Sequence, residues 1–276
     1  MCRPRTAHGS YLGTFLSETK VAGAAAFGKF MAVLQAVADA PEPPTAAALA
    51  RVCGYPRPTV YRIVAALAEQ GMVAETGGAY RLGTRLISLA SRAWSRFDLR
   101  AALAPDLQAL RDATGETVHL AVPAGHEMIY IDKLESPGPV RMVSRVGASV
   151  ALHSSAVGKA YLAALDEAAR EQLLRGLPLP ARMPGTVTSL PALRAVLEEA
   201  RGRGYAMDDE ENEAGIVCYG VALCDAAGRP VAGVSVSTLL FRRQDDPQTA
   251  YIDPLLRLRD AAVAKLAVLP VSTGGA

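Results

Sequence analysis

The chain has 276 residues, of which half are hydrophobic and one fifth are charged. This composition supports a sizeable hydrophobic core and excludes disorder as the overall state, and the length predicts two domains or one large one. No run approaches the ~18 consecutive apolar residues of a membrane span, and polar residues interrupt the N-terminal stretch where a signal peptide needs an apolar segment. The four cysteines (2, 53, 218 and 224) are too irregularly spaced for a disulfide framework or a structural zinc site. We therefore expect a cytoplasmic protein with no membrane contact, no metal and no cofactor.

The charge is unevenly distributed along the chain. Residues 1–96 contain 11 Lys and Arg against 5 Asp and Glu, a net charge of +6. Residues 97–276 contain 18 against 22, a net charge of −4. A basic N-terminal third on a mildly acidic body indicates a module that binds a polyanion, attached to a second domain with another task.

The basic third begins with a predicted tail at residues 1–26 and three predicted helices. Apolar residues at 30, 33, 34 and 37 give the first helix its buried face, and three prolines between 41 and 44 end it. Thr45 is a suitable N-cap for a short second helix over 46–52, and Gly54 allows a tight turn after it. The third helix should span about 56–70 and bury Val60, Ile63, Val64 and Leu67.

A hairpin follows the third helix. Residues 72–75 and Ala79–Leu82 are expected to pair around Thr76-Gly77-Gly78. Helix, short helix, glycine turn, longer helix and hairpin together predict a winged helix-turn-helix over residues 27–83, although a helical subdomain with a solvated arginine face remains an alternative. Pro58 should bias Arg57 away from the α region and limit where the third helix begins. The expected DNA contacts are Thr45, Arg57, Thr59, Tyr61, Arg62, Arg81 and Arg85.

The rest of the chain predicts a linker helix and an α+β domain. The helix at 84–97 has an apolar stripe that includes the single Trp94 and packs either on its own chain or on a second copy. Strands are expected at 117–122, 127–134, 140–146, 218–224 and 231–239. Helices are expected at 99–112, 155–165, 166–174, 190–203 and 251–266. This order is typical of an antiparallel sheet flanked by helices, here over residues 98–268, before a short tail at 269–276.

Several stretches of the chain resemble a known family. Residues 54–62 (GYPRPTVYR) and the wing at 80–83 (YRLG) resemble the winged helix-turn-helix of IclR-type bacterial transcriptional regulators. The second domain resembles that family's GAF-like effector-binding domain at 153–160 (HSSAVGKA), 204–211 (GYAMDDEE), 215–218 (GIVC) and 234–237 (VSVS). The resemblance covers most of residues 27–265, and Pro58 stands where a small polar residue is usual.

The resemblance implies a function and a set of site residues. It implies a dimer or tetramer that binds a palindromic DNA operator, with a small effector molecule in the second domain that changes DNA affinity or polymerase recruitment. We expect this effect to pass through the helix at 84–97, because dimer geometry fixes half-site spacing. The implied effector pocket contains Met142, Ala156, Val157, Asp208, Ile216, Cys218, Ser235 and Ser237.

The chemistry of these residues favours a small organic acid as the effector. Ser154 and Ser155 are expected to cap a helix whose N-terminus, with free N–H groups and a partial positive charge, suits a carboxylate. Ser235 and Ser237 lie two apart on a strand and therefore face the same side. The simpler interpretation is that these serines face solvent and Cys218 is merely buried.

Three other functions use some of the same residues. Cys218 with Asp208 and one of the histidines 119, 126 or 153 would form a nucleophilic triad of a hydrolase, although Cys218 falls at a predicted strand start. The same histidines with Asp132 would form a metal sensor, and the acidic run at 208–213, which we interpret mainly as solvated, would hold a hard cation. The third alternative is a DNA-binding adaptor whose second domain only oligomerises.

Overall fold

The computed structural model describes residues 23–94 and 99–267, without the side chains of residues 91–94. The chain divides into two compact units, residues 1–96 and 97–276. Most of the expected N-terminal tail, the end of the linker helix and the expected C-terminal tail lie outside the described residues. In the described part of the chain, no helix has the length and apolar character needed to cross a membrane.

The N-terminal unit is a winged helix-turn-helix. Its elements are α1 (Ala24–Asp39), α2 (Ala46–Cys53), α3 (Arg57–Glu69), β1 (Val73–Thr76), β2 (Ala79–Leu82) and α4 (Thr84–Trp94). The Thr45 hydroxyl accepts a hydrogen bond from the Ala48 N–H at 3.3 Å and caps α2, as its position predicted. Gly54 takes the left-handed conformation that separates α2 from α3, with φ 69°. The three helices bury Val33, Leu49, Val60 and Val64 in one core.

Two local expectations for this unit are wrong. The first helix begins at Ala24 rather than Phe27, so it includes the last residues that were assigned to the tail. The third helix begins at Arg57, within one residue of its predicted start, but Arg57 is helical despite the Pro58 that follows it in the first turn. Proline at this position loses no helical hydrogen bond, because the first N–H groups of a helix have no acceptor within it. The bias against the α region at Arg57 is therefore overcome by the helix that follows.

The C-terminal unit is an α+β fold built on one six-stranded antiparallel sheet. The strands are β3 (Thr117–Ala124), β4 (Glu127–Leu134), β5 (Ser149–Ala151), β6 (Ala206–Asp209), β7 (Ile216–Cys224) and β8 (Pro230–Leu239), in the order β5-β4-β3-β8-β7-β6. The helices are α5 (Leu99–Thr114), α6 (Ala156–Ala164), α7 (Glu167–Leu174), α8 (Leu190–Arg203) and α9 (Asp253–Leu266). A 3-10 turn (Leu240–Arg242) and a π-helical turn (Gln248–Ile252) connect β8 to α9.

The two faces of this sheet have different chemistry. One face packs against α5 and α9 through aliphatic side chains such as Leu103, Val217 and Val234. The other face packs against α6, α7 and α8, with Met128, Leu162 and Leu193 in its core. Strand alternation brings the polar residues 119, 218, 235 and 237 to this second face, opposite α6. The second face is therefore where a polar site is available.

The expected strand at 140–146 does not exist. Residues 140–148 form an irregular segment, and the strand that pairs with β4 is Ser149–Ala151. Val140, Val143 and Val146 are exposed, so their apolar character does not mark a buried strand face. The segment is held by a side chain instead: the Lys133 ammonium donates to the carbonyl oxygens of Met142 at 2.8 Å and of Ser144 at 2.5 Å.

Candidate DNA interface and effector pocket

One side of α3 is exposed and basic. Arg57, Tyr61 and Arg62 are exposed and Thr59 is half-buried, while Val60, Ile63, Val64 and Leu67 occupy the buried side. Tyr61 retains 55% of its surface, unusually high for an aromatic side chain in a folded domain. Exposed arginine and tyrosine at the start of a helix suit base edges and phosphates in a major groove.

Two further arginines, Arg81 in the wing and Arg85 in the first turn of α4, already have partners. Arg81 donates to the Thr76 hydroxyl at 2.7 Å across the hairpin. Arg85 donates through Nη1 to the Gln70 carbonyl at 3.0 Å and to the Gln70 side-chain oxygen at 2.9 Å. Both side chains are exposed, so their remaining N–H groups can reach phosphate oxygens. Thr45 is also exposed, but its hydroxyl is used in capping α2.

Three predicted effector residues lie side by side on neighbouring strands. Asp208 on β6 is directly opposite Cys218 on β7, which is directly opposite Ser237 on β8. Ser235 lies two residues along β8 on the same face. Asp208, Ser235 and Ser237 are each less than 5% exposed. The strands thus form a buried polar floor from residues distant in sequence.

The N-terminus of α6 covers this floor. Ser155 accepts a hydrogen bond from the Gly158 N–H at 3.1 Å and caps the helix, and Ala156 and Val157 are buried. A Cβ atom at Gly220 on β7 would lie 2.7 Å from the backbone of Ala156, so only glycine allows this approach. The helix N-terminus therefore rests directly on the sheet at Gly220, the next residue after Cys218 on the same face of β7.

Ser154 does not cap α6, contrary to expectation. Its hydroxyl donates to Oδ1 of Asn212 at 3.1 Å, in the connection between β6 and β7. Met142 and Ile216 are both half-buried. Ile216 is on the same strand face as Cys218, whereas Met142 is in the irregular segment before β5 and is held through its carbonyl by Lys133. The predicted set thus divides into a floor, a helix terminus and two flanking apolar side chains.

Burial controls the ionisation of the floor. It raises the pKa of Asp208 to about 7, against the opposing effects of Lys159 and of hydrogen bonds from the N–H groups of Glu211 and Asn212. Burial, with a smaller effect of Asp208, also raises the pKa of the Cys218 thiol. Cys218 is the third residue of β7, not a strand-start residue. A protonated thiol on a strand interior is a poor nucleophile, which argues against the hydrolase alternative.

The acidic run is not solvated as a whole, which corrects the sequence interpretation. Asp208 is buried on β6, and Glu211 forms an ion pair with Lys159, whose side chain has no exposed surface. The Thr186 hydroxyl donates to the Glu211 carbonyl at 2.6 Å. This pair was not predicted from the sequence, although a lysine within the apolar helix 156–164 was a usable signal, since a buried lysine needs a partner.

His119 is a second residue whose role the sequence analysis missed. It lies on β3 opposite Ser235, 2% exposed, and its ring packs against Tyr130 at an interplanar angle of 30°, with centroids 4.5 Å apart. Its Nε2 is 2.8 Å from the Ser144 hydroxyl and its Nδ1 is 3.3 Å from the Ser237 hydroxyl. Burial, assisted by Lys133, lowers the pKa of His119 to about 3, so the ring is neutral.

The metal-sensor alternative gains no support from the geometry. Across residues 23–94 and 99–267, no group of three or more His, Cys, Asp or Glu side chains is placed to hold a metal ion. His153 Nε2 is instead 3.1 Å from the Pro180 carbonyl, and Asp132 pairs with Arg100 at 3.1 Å. A cleft of about 270 Å³ beside the β6–β7 connection contains none of the predicted effector residues. Its lining is Met183, Pro184, Gly185, Asp209, Glu210 and Ala214.

A winged helix-turn-helix joined to a domain with a buried polar floor defines a transcriptional regulator with a DNA-binding and an effector-binding domain. Two family profiles agree: the IclR helix-turn-helix domain matches residues 28–77, and the bacterial transcriptional regulator IclR C-terminal domain matches residues 91–264. The chain belongs to the IclR family of bacterial transcriptional regulators. Its relatives are transcriptional regulators rather than enzymes.

Relatives of known sequence and structure support this assignment. The HTH-type transcriptional regulator XynR of Escherichia coli is 33% identical over 199 residues, 71% of this chain and 79% of XynR. The crystal structure of the Thermotoga maritima IclR is 34% identical, with a TM-score of 0.70 over 88% of this chain and 98% of that one. An IclR homologue from Microbacterium hydrocarbonoxydans, crystallised with 4-hydroxybenzoate, is 27% identical, with a TM-score of 0.72 over 86% and 97%.

Proposed function

We propose that this regulator binds a palindromic operator in the cytoplasm. Its affinity for the operator falls or rises when a small organic carboxylate binds to the second domain. The DNA contacts are Thr45, Arg57, Thr59, Tyr61, Arg62, Arg81 and Arg85. The effector residues are Met142, Ser154, Ala156, Val157, Asp208, Ile216, Cys218, Ser235 and Ser237. The protein needs no cofactor for this function.

The observation that carries the proposal is the polar floor of Asp208, Cys218 and Ser237 beneath the N-terminus of α6. A helix N-terminus attracts anions through its free N–H groups and its dipole. With a pKa of about 7, Asp208 is protonated part of the time and can donate a hydrogen bond to a carboxylate. The homologue crystallised with 4-hydroxybenzoate shows that one member of the fold binds an aromatic acid.

Thermal unfolding of the full-length protein with 4-hydroxybenzoate and a panel of other aromatic, small aliphatic and sugar acids tests the effector assignment. A binding acid raises the melting temperature in a saturable way. The double variant Ser235→Ala with Ser237→Ala should lose this response and keep DNA affinity, whereas Ser149→Ala, on the edge strand of the same sheet, should keep both. A normal response in the double variant would place the pocket elsewhere, and silence of the wild type across the panel would favour the adaptor function.

Selection of DNA from a random pool by the full-length protein tests the operator assignment. Two copies of the winged helix related by a two-fold axis require inverted half-sites. The recovered sequences should therefore contain an inverted repeat whose affinity falls when a stabilising acid is added, or rises if the acid-bound state is the one that binds DNA. Recovery of direct repeats or single sites would contradict the palindromic operator.

Self-association as a dimer or tetramer has support on the N-terminal unit. Phe27 and Met31 on α1 and Ile87 and Leu89 on α4 are large apolar side chains with 44–70% of their surface exposed. We assign these side chains to contact with a second copy. Sedimentation equilibrium of the wild type should give a dimer or tetramer mass, and Ile87→Glu should lower it. Ser88→Glu, at an exposed polar position of α4, should not; a monomeric wild type would contradict the assignment.

A further inference from the structure

His119 connects the polar floor to the irregular segment that precedes β5. Its ring is held between two serine hydroxyls, Ser237 on the floor and Ser144 in the segment, and lies against Tyr130. Each ring nitrogen therefore has one hydrogen-bond partner, and the two partners come from distant parts of the chain. The role of a ring so placed depends on which nitrogen carries the proton.

A neutral imidazole has one N–H group and one bare nitrogen, so two arrangements are available. In the first, the Nδ1–H group donates to the Ser237 oxygen, the Ser144 hydroxyl donates to Nε2, and the Ser237 proton is free for a ligand. In the second, the Ser237 hydroxyl donates its proton to Nδ1 and cannot donate it to a ligand. The Ser237 oxygen then offers a ligand only lone pairs. The tautomer of His119 thus decides whether Ser237 is a donor or an acceptor toward the pocket.

The charges around the ring select the first arrangement. On the Nε2 side, the Lys133 ammonium donates to the Ser144 carbonyl at 2.5 Å, and a cation there favours a bare nitrogen pointing toward it. Glu135, 2.8 Å from Lys133, is partly exposed, so it cancels only part of this field.

We propose that His119, held as the Nδ1-protonated neutral imidazole, makes Ser237 a hydrogen-bond donor and thereby selects a carboxylate over a ligand that donates. This inference rests on the proposed effector function and names a residue that determines its specificity. The lowered pKa of His119 keeps the ring neutral across the physiological range. Ser237 also lies directly opposite Cys218 in the sheet.

The tautomer can be measured without any ligand. In full-length protein labelled with 15N-histidine, the ring nitrogens of His119 are assigned by loss of their signals in His119→Asn, and His126→Asn serves as the matched control. We expect a protonated Nδ1 and a bare Nε2, unchanged from pH 5 to pH 8. A protonated Nε2, or a charged ring, overturns the proposal. Lys133→Met should shift the population toward the Nε2-protonated form, and an unchanged population would show that Lys133 does not set the tautomer.

Two variants then test the consequence for specificity. Asparagine at 119 places its amide nitrogen where Nδ1 lies, and glutamine places it where Nε2 lies. For the acid that stabilises the wild type most, His119→Asn should keep the affinity within a few-fold, and His119→Gln should lower it about tenfold, the value of one hydrogen bond to a charged group. Equal losses in both variants, with melting temperatures unchanged, overturn the role in specificity. If no acid binds the wild type, the effector function fails while the nitrogen signals still decide the tautomer.

Discussion

The two units of this chain use polar side chains in opposite ways. In the N-terminal unit the arginines of α3 and of the wing are exposed, and their partners are close in sequence, as between Arg81 and Thr76, five residues apart. In the C-terminal unit the polar groups are buried, and His119 and Ser237 are 118 residues apart. A surface that binds DNA gains from charge left in water, where it attracts phosphates at long range. A pocket that recognises a small molecule gains from groups whose protons and charges are fixed by desolvation.

The difference also changes how the stability of each unit responds to the loss of a polar side chain. An exposed arginine can be replaced with little effect on folding, because water replaces its contacts. A buried charge cannot, because removal of its partner leaves an ion without solvent. The same kind of substitution should therefore affect function in one unit and stability in the other, and four substitutions test that contrast, beginning with the largest expected effect.

Lys159→Met should destabilise the C-terminal unit by about 3–5 kcal/mol, because it leaves the Glu211 carboxylate without its cation in a buried site. Urea unfolding measures the loss. Lys265→Met is the matched control: its ion pair with Asp106 is more exposed, and its loss should cost less than about 1 kcal/mol. Adding Glu211→Gln to Lys159→Met should restore part of the stability. A loss below that of Lys265→Met would show that the buried pair carries no special cost.

Asp208→Asn should change how stability depends on pH. The carboxyl of Asp208 ionises near pH 4 in the unfolded chain and near pH 7 in the folded one, so the folded state binds more protons between these values. Stability is therefore lost as pH rises from 4 to 7, by on the order of 2–4 kcal/mol, and the variant lacks this loss. Unfolding free energies of wild type and variant at pH 4.5, 6 and 8 measure it. A difference between the two that stays constant with pH would contradict the raised pKa.

Gly220→Ala should destabilise the C-terminal unit by about 1–3 kcal/mol and weaken the acid response, because its Cβ would collide with the backbone of Ala156 and lift α6 from the sheet. Gly28→Ala provides the comparison in the other unit. Gly28 lies within α1, and a Cβ atom there would have open space around it, so alanine should stabilise by about 0.5–1 kcal/mol. Thermal unfolding should thus show shifts of opposite sign, and shifts of the same sign would contradict the close approach of α6.

Arg62→Ala should have the smallest effect on folding, within about 0.5 kcal/mol, and should weaken specific DNA binding by about 1–3 kcal/mol. Fluorescence anisotropy on the selected operator measures the affinity. Arg203→Ala, on the C-terminal unit, removes an equal charge from an exposed site and should leave DNA affinity nearly unchanged. If both variants bind equally well, Arg62 is not a contact.

The sequence predicted the N-terminal unit better than the effector floor, for a physical reason. Helical periodicity, the Thr45 cap and the hairpin around Gly77 are local signals, and a few neighbouring residues determine each of them. The short strand β6 was missed because the two carboxylates in its sequence, AMDD, are typical of a solvated loop. Asp208 becomes a buried strand residue only because Cys218 and α6 cover it.

The residues on the polar floor show more clearly which contacts a sequence pattern cannot predict. Strand alternation correctly predicted that Ser235 and Ser237 share a face. It did not predict that His119 contacts Ser237, nor that Lys159 pairs with Glu211, because each contact joins residues that only the sheet order brings together. The opposite error occurred at Val140, Val143 and Val146. Their apolar pattern predicted a strand, but they lie in an exposed irregular segment. Long-range pairing is the information that periodicity lacks.

The hydrogen bonds of Arg85 have a mechanical consequence. They join the first turn of α4 to Gln70, the C-cap residue of α3, and the backbone of Gly83 rests against the Gly71 carbonyl beside them. These contacts link α3 and α4 directly, without passing through the hairpin. We therefore expect a rotation of α4 to shift α3 as well, and with it the exposed arginines that we propose as DNA contacts.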